Sequence, residues 1–344
     1  MKALFYLGPR KLEMRDVPIP EINDREYLIK IVSCGICGSD FEGYLGKTGR
    51  RTPPMIMGHE FSGIVEKAPN INAKFQVGQK VVVFPKFFCG ECEFCKKGLI
   101  NVCPNGICMG VLDNNGAMCE YVNIEEKYLI PIDDQLDFNI AAMAEPLAVA
   151  YRAVSKITDN DLNSSENFLV IGAGTIGLLA IAILNYRGAK NIFVSDTMDY
   201  RLNVAKKMGA TYLINPIKEN LIETIKEITD SKMCDFSIEA VGITPTASSS
   251  LDCLKIGGTA IWIGNAQKMI EVNMQKIVTT ELTIKGNYVY NFEDFKTCVD
   301  LLLNNSIDVS PVITDKYSFN DSIIAFEALE NNPKGEKIKI ILEM

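Results

Sequence analysis

The sequence predicts an α/β protein in two parts, a doubly wound parallel sheet and a mostly β, loop-rich part. Three observations predict it. At 344 residues the chain exceeds the size at which a single core keeps growing, so two domains are expected. From about residue 165, short β-rich runs alternate with helical stretches, the pattern of parallel strands joined by crossover helices. Residues 1 to about 150 instead carry short alternating segments separated by Gly, Pro and Cys clusters.

Taken in order, Tyr27–Val32, Gly63–Glu66 and Lys80–Phe84 alternate apolar and polar residues and read as strands of the β part. In the alternating part the strand candidates are Phe168–Gly172, Asn191–Ser195, Tyr212–Ile214, Phe236–Ala240, Thr259–Gly264 and Leu282–Lys285. Helical patterns fall between most of them, as at Tyr200–Met208 and Leu221–Thr229. A helix over Asn291–Leu303 and a closing strand over Lys337–Leu342 complete the chain. Phe168 to Leu184 carries no charge over seventeen residues, but its glycines split it into a strand and a buried helix rather than a membrane span.

Composition narrows the function. With 47% hydrophobic and 23% charged residues the chain is neither disordered nor collagen-like. Lys and Arg total 35 against 43 Asp and Glu, a net charge of -8, which disfavours a general nucleic-acid or anionic-membrane binder. The apolar stretch Ala3–Leu7 is too short for a secretory core, and the cysteine count is odd, so a reducing cytoplasm is expected. Eleven cysteines accompany a single histidine, and eight of the eleven lie between Cys34 and Cys119.

Two motifs carry chemistry on residue type and spacing. Gly172-Ala-Gly174-Thr-Ile-Gly177 follows a strand and opens a helix, and Asp196 stands nineteen residues later at the next strand end. This is a Rossmann dinucleotide turn, in which Gly172 makes the bend, Gly174 admits a pyrophosphate and Gly177 packs helix on strand. Thr175, Ile176 and Arg201 join the cofactor set, and a carboxylate at Asp196 favours NAD over NADP by repelling a 2′-phosphate. Cys89-x2-Cys92-x2-Cys95-x7-Cys103 can wrap four thiolates around one tetrahedral zinc with no position left for substrate, a structural site. Packing cysteines, redox thiols or a zinc-based nucleic-acid reader are the alternatives, and the acidic chain opposes the last. Cys34, Cys108, Cys119, Cys234, Cys253 and Cys298 read as small buried residues.

His59, beside Glu60, means little alone. With Gly35-Ile-Cys37-Gly-Ser39-Asp40 upstream and Ala144-Glu145-Pro146-Leu147 downstream, the chain resembles the zinc-dependent medium-chain dehydrogenase/reductases over its whole length, through GICGSD, GHEFSG, the four-cysteine lobe, EPLAVAYRAV and GAGTIG. The glutamate in EPL is similar to the polyol branch, which includes sorbitol, galactitol-1-phosphate, threonine and butanediol dehydrogenases. The pattern departs at Pro69, where the family carries a turn glycine.

The resemblance implies a GroES-like catalytic domain over 1–150 and 286–344, a Rossmann NAD-binding domain over 151–285, and two zinc ions per chain. Cys37, His59 and Glu145 would hold a catalytic zinc, with Glu60 a flexible carboxylate that ligates when substrate is absent. Asp40 would accept from the second imidazole nitrogen of His59, Ser39 would pass on the alcohol proton, and Lys339 would face Glu60. Relatives pair their cofactor-domain sheets through the strand matching Thr259–Gly264, which implies a homodimer or homotetramer. The expected substrate is a small polyol or polyol phosphate, with butanediol and threonine open. Tyr44, Lys47, Arg50 and Arg51 either reach the cleft mouth, where a basic cluster suits a phosphate, or form a solvated loop, and Asn287–Phe292 would add substrate contacts. A non-catalytic zinc protein on the same fold would be expected to lose Cys37, His59 or Glu145, and all three are present.

Overall fold

The computed structural model describes residues 1–344. The N-terminal part contains strands β1 (Lys2–Gly8), β2 (Lys11–Asp16), β3 (Glu26–Gly35), β4 (Met55–Ile56), β5 (Glu60–Lys67), β6 (Lys80–Val83), β7 (Lys86–Phe87), β8 (Ile107–Cys108), β9 (Tyr121–Glu125) and β10 (Leu129–Pro131). The alternating part contributes β11 (Asn167–Ile171), β12 (Asn191–Ser195), β13 (Tyr212–Ile214), β14 (Cys234–Glu239), β15 (Leu254–Trp262) and β16 (Thr283–Gly286). The chain closes with β17 (Ile313–Ser318) and β18 (Lys339–Glu343).

Strands β11 to β16 form one sheet, all parallel, in the order β13-β12-β11-β14-β15-β16. The order reverses between β11 and β14, the switch point at which open α/β sheets bind ligands. Alternation along β11 shows why the sheet is covered on both faces. Phe168 and Val170 join the large core of 77 buried residues, whereas Leu169 and Ile171 join a second core of 12 on the opposite side. The uncharged stretch divides as its glycines predict, into β11 and the helix Thr175–Tyr186. No helix is long and apolar enough to cross a membrane.

The other large sheet runs β10-β6-β5-β3-β18-β17, with β9 also paired to β3. It recruits the last strand of the chain between β3 and β17, so residues some 300 positions apart become neighbours. This matters because β3 ends at the Cys37 motif, β5 begins at Glu60 and β18 begins at Lys339. One expectation is corrected. The strand predicted over Thr259–Gly264 is part of β15, which lies inside the sheet between β14 and β16, so the free edge on that side is β16. Ladder bonds on both sides of β15 are already used by its neighbours, and an edge contact to another chain cannot pass through it.

Candidate active site

Cys37 occupies the N-cap of the helix Gly38–Tyr44 immediately after β3. Its sulfur accepts the Ser39 backbone N–H at 3.4 Å, and the Asp40 carboxylate accepts the Cys37 N–H at 3.4 Å, a reciprocal cap that fixes both side chains. On the adjoining strand Glu60 pairs with Gly35, so the β3–β5 register delivers His59 and Glu60 to the end of the same helix. The ligand atoms of Cys37, His59 and Glu60 lie within 4.8 Å of one another. Glu145, in the first turn of the helix Ala144–Val154, stands outside that group and accepts a 2.8 Å hydrogen bond from the Tyr290 hydroxyl.

Two buried ion pairs flank this cluster. Lys339 Nζ donates to both oxygens of Glu60, at 2.8 and 2.6 Å, and to the Ile36 carbonyl at 2.9 Å. Arg51 Nη2 donates to Asp40 at 2.7 Å and to Ser39 Oγ at 3.0 Å. The predicted Asp40–His59 bond is not made. His59 Nδ1 lies 3.8 Å from Asp40 Oδ2 and is buried without a partner; Arg51 engages the other oxygen, Oδ1, and the Cys37 amide engages Oδ2.

Burial, then the nearby Glu60, push the Cys37 thiol up to about 11. Burial pushes the Glu145 carboxyl up to about 8, with Glu60 and Cys37 adding to it. Burial alone would lower the Lys339 ammonium, but Glu60 outweighs it and raises the group. Fully ionised, Cys37, Asp40, Glu60 and Glu145 carry four negative charges against two positive ones on Arg51 and Lys339. A divalent cation closes that difference, and a mixed S, N and O donor set with one histidine is a zinc-type set that leaves room for substrate.

The four-cysteine lobe lies on a separate, half-exposed loop. Its sulfur contacts are Cys89–Cys95 at 3.8 Å, Cys92–Cys103 at 3.8 Å and Cys103–Cys89 at 3.5 Å. Tetrahedral zinc with Zn–S of about 2.3 Å requires sulfur separations of about 3.8 Å. The fit is therefore already present in the side-chain geometry. Backbone amides of Glu91 and Cys92 hold the Cys89 thiol down to about 6, while burial and the Cys92 thiol push Cys95 up to about 12. Four sulfurs this close share protons unevenly unless a cation takes their place.

At the switch point Gly172 has φ +93°, and a Cβ on Gly177 would collide with the Gly172 carbonyl, so the turn needs glycine at both places. Gly174 caps the helix Thr175–Tyr186 and has open space where its Cβ would lie. Thr175 Oγ1 donates to the Ile338 carbonyl at 3.3 Å, Ile176 is half-buried in the first turn, and Arg201 Nε donates to the Gly335 carbonyl at 3.2 Å. Asp196 accepts from the amides of Ala173 at 2.7 Å and Met198 at 2.8 Å, which holds its carboxylate against the glycine turn. A cavity of about 480 Å³ opens at the ends of β15 and β16, lined among others by Asn101, Val102, Arg152, Lys156, Asn287 and Tyr288.

Residues 23–134 match the alcohol dehydrogenase GroES-like domain, and residues 175–304 match the zinc-binding dehydrogenase family. Sorbitol dehydrogenase of Bacillus subtilis (strain 168) is 32% identical over 99% of this chain and 97% of its own. D-arabitol-phosphate dehydrogenase of Enterococcus avium is 34% identical over 98% and 95%, and L-threonine 3-dehydrogenase of Escherichia coli (strain K12) 33% identical over 98% and 99%. Among solved structures, a zinc-binding dehydrogenase from Sinorhizobium meliloti 1021 bound to NADP superposes with a TM-score of 0.90 at 27% identity, covering 100% of this chain and 99% of that one. An alcohol dehydrogenase from Escherichia coli CFT073 complexed with NADH gives the same TM-score, identity and coverage. The chain belongs to the zinc-dependent alcohol dehydrogenases. Zinc and a nicotinamide dinucleotide are its cofactors, and its substrates are small-molecule alcohols.

The loop after Asp40 in this dehydrogenase differs from expectation. Tyr44 is buried against Phe326, ring centroids 5.2 Å apart, and is core rather than cleft. Lys47 is exposed and faces Glu42 at 3.7 Å, the solvated alternative. Arg50 donates to the Tyr288 hydroxyl at 3.1 Å on the rim of the cavity, and Arg51 turns inward to Asp40 and Ser39. Apolar residues at helical spacing, Phe41 and Tyr44, are the signal that could have marked that side as core. Tyr290 was covered only by the broad stretch 287–292; its bond to Glu145 joins residues 145 positions apart, which local spacing cannot register.

Proposed function

We propose that this dehydrogenase oxidises a secondary alcohol of a polyol or polyol phosphate to the ketone, transferring hydride to NAD⁺. The observation that carries the reading is the buried cluster of Cys37, His59 and Glu60 beside Glu145, four donors where a catalytic zinc with an open position uses three, whose fully ionised form a divalent cation brings to charge balance. Cys37, His59 and Glu145 would hold the catalytic zinc, with Glu60 exchanging in when substrate is absent, and Cys89, Cys92, Cys95 and Cys103 would hold the structural one. When bound, the catalytic zinc supplies Lewis acidity that brings the ionisation of a hydroxyl toward neutral pH.

The remaining work falls to the chain. Ser39 Oγ, 3.3 Å from Cys37 Sγ, takes the proton of the substrate hydroxyl and passes it to a ribose hydroxyl of the cofactor or to water. No second histidine exists to extend that relay. Gly172, Gly174 and Gly177 bring the backbone against the pyrophosphate at the start of the Thr175–Tyr186 helix. Asp196 accepts from the adenosine ribose hydroxyls, and its charge opposes a 2′-phosphate. The cleft between residues 1–150 with 286–344 and residues 151–285 excludes water from hydride transfer. The similarity to sorbitol and arabitol-phosphate dehydrogenases supports a polyol substrate, and a cytoplasmic homodimer or homotetramer accords with the family.

The test is a panel of matched phosphorylated and unphosphorylated polyols, with butanediol and threonine, run with NAD⁺ and NADP⁺ on protein assayed for metal. Two zinc ions per chain and NAD⁺ reduction with one polyol type are expected. Failure of the whole panel at full zinc loading would remove the reading, and turnover of threonine or butanediol alone would redirect it.

A further inference from the structure

Arg51 enters the site from a loop whose backbone is anchored: Leu112 N donates to the Arg50 carbonyl at 2.9 Å and Thr52 N to the Leu112 carbonyl at 2.8 Å. Its side chain is only 2% exposed, and it ends against two residues that flank Cys37 in sequence and space. One nitrogen, Nη2, meets both Asp40 Oδ1 and Ser39 Oγ, while Nη1 donates to the Arg50 carbonyl at 3.1 Å. Nε is buried with no partner, so the guanidinium is held toward Ser39 and Asp40 with one donor unsatisfied.

We propose that Arg51 is the positioning residue of the reaction centre: it fixes the direction of the Ser39 hydroxyl and the oxygen of Asp40 that faces His59. The inference rests on the zinc reading above and assigns a role that reading does not contain. A guanidinium only donates, so Ser39 Oγ accepts from Arg51 and keeps one proton and one lone pair. The proton is directed to Cys37 Sγ, 3.3 Å away, or to the next acceptor outward. The remaining lone pair is then an acceptor for the substrate hydroxyl. At Asp40 the same nitrogen occupies Oδ1, which leaves Oδ2 toward His59 Nδ1 and the Cys37 amide. The guanidinium also supplies one of the two positive charges that, with a divalent ion, balance the four acids around the centre.

Two independent substitutions test this. Arg51→Gln removes the charge and the fork. Gly43→Ala touches neither the donors nor Ser39, but its methyl would lie 2.5 Å from Arg51 Cγ and must push the arginine stem aside, while alanine favours the helix it sits in. Supporting groups around metal ligands typically contribute 10- to 100-fold, so both variants should lower kcat by about that factor with NADH binding little changed. Arg51→Lys should recover part of it. With cobalt in the catalytic position, both variants should also shift the visible spectrum, which reports the geometry at Cys37 and His59, and should lose that metal to a chelator faster than wild type. Folded Gly43→Ala protein with wild-type kcat and wild-type cobalt spectrum would overturn the proposal. If Cys37→Ala in the same series kept turnover, the zinc reading itself would fail; loss there with wild-type behaviour of the arginine variants would reject Arg51 alone.

Discussion

The four-cysteine lobe and the cluster around Cys37 are both thiol-bearing and both fit zinc, yet they are built in opposite ways. In the lobe the four sulfurs come from one short loop, Cys89 to Cys103, are half-exposed for the most part, and sit at separations a tetrahedral ion would impose. Around Cys37 the donors come from a strand end, a neighbouring strand and a distant helix, are largely buried, and are bracketed by Arg51–Asp40 and Lys339–Glu60. Four identical soft ligands close a site and spend the metal's binding energy on local folding. Mixed donors held by the sheet, with a spare carboxylate and compensating cations, leave a position open and a charge to be used.

The sharpest way to test that contrast is to remove one sulfur from each. Cys37→Ala should lower turnover by at least about 10³-fold, the scale of losing a Lewis acid, while the melting temperature and NADH affinity change little. Metal analysis should fall from two zinc ions to one. A variant that retained more than a tenth of wild-type kcat would put the chemistry elsewhere. Cys92→Ser also takes the zinc count to one, but there the expected loss is structural: the segment 89–103 becomes protease-sensitive and the melting temperature drops, because such loops have little core of their own. Full stability with abolished turnover in Cys92→Ser would reverse the roles given to the two centres.

Next in size is the ion pair beneath Glu60. Lys339 and Glu60 side chains are 1% and 2% exposed, so Lys339→Met strands a carboxylate in the interior, and breaking such a pair costs about 3–5 kcal/mol. A clear fall in denaturation midpoint is expected, and Lys339→Met combined with Glu60→Gln should recover part of it. No comparable carrier of stability exists in the lobe, where Lys97–Glu93 is an exposed pair. If the double substitution is no more stable than the single one, Glu60 is neutral in the folded protein and the charge balance proposed for the centre is wrong.

The same contrast explains what could be read from the chain directly. The lobe is local, so its spacing alone pointed to four cysteines that the structure brings together. The parallel sheet was equally legible, since β11, β12 and β13 follow from runs of apolar residues bounded by glycine and polar turns. At the open centre, residue type pointed to His59 only by scarcity, and Cys37 and Glu145 needed the family resemblance. The loop 44–51 was least legible. Whether an arginine there meets solvent or Asp40 depends on how β3 and the helix after it pack against a segment with no periodic signal, and Arg50 and Arg51 take opposite answers at adjacent positions.

Tyr290 gives the finest discrimination between the two centres. Its hydroxyl is the hydrogen-bond donor to Glu145, and its ring is fully buried between Phe84 and Phe295, at centroid distances of 5.7 and 5.6 Å. Tyr290→Phe keeps the ring packing and deletes one hydrogen bond, about 0.5–1.5 kcal/mol while the buried carboxyl is protonated and about 1.5–3 kcal/mol where it is ionised, before the carboxyl finds a substitute. With zinc available as that substitute, the net effect on stability should be small, and kcat should fall only several-fold with the zinc count still at two. After chelation the bond has no replacement, so the variant's deficit in denaturation midpoint should be larger in metal-stripped protein than in loaded protein. Equal deficits in the two states would mean that Glu145 does not turn to the metal when it binds, and Glu60 would then be the carboxylate ligand of the centre.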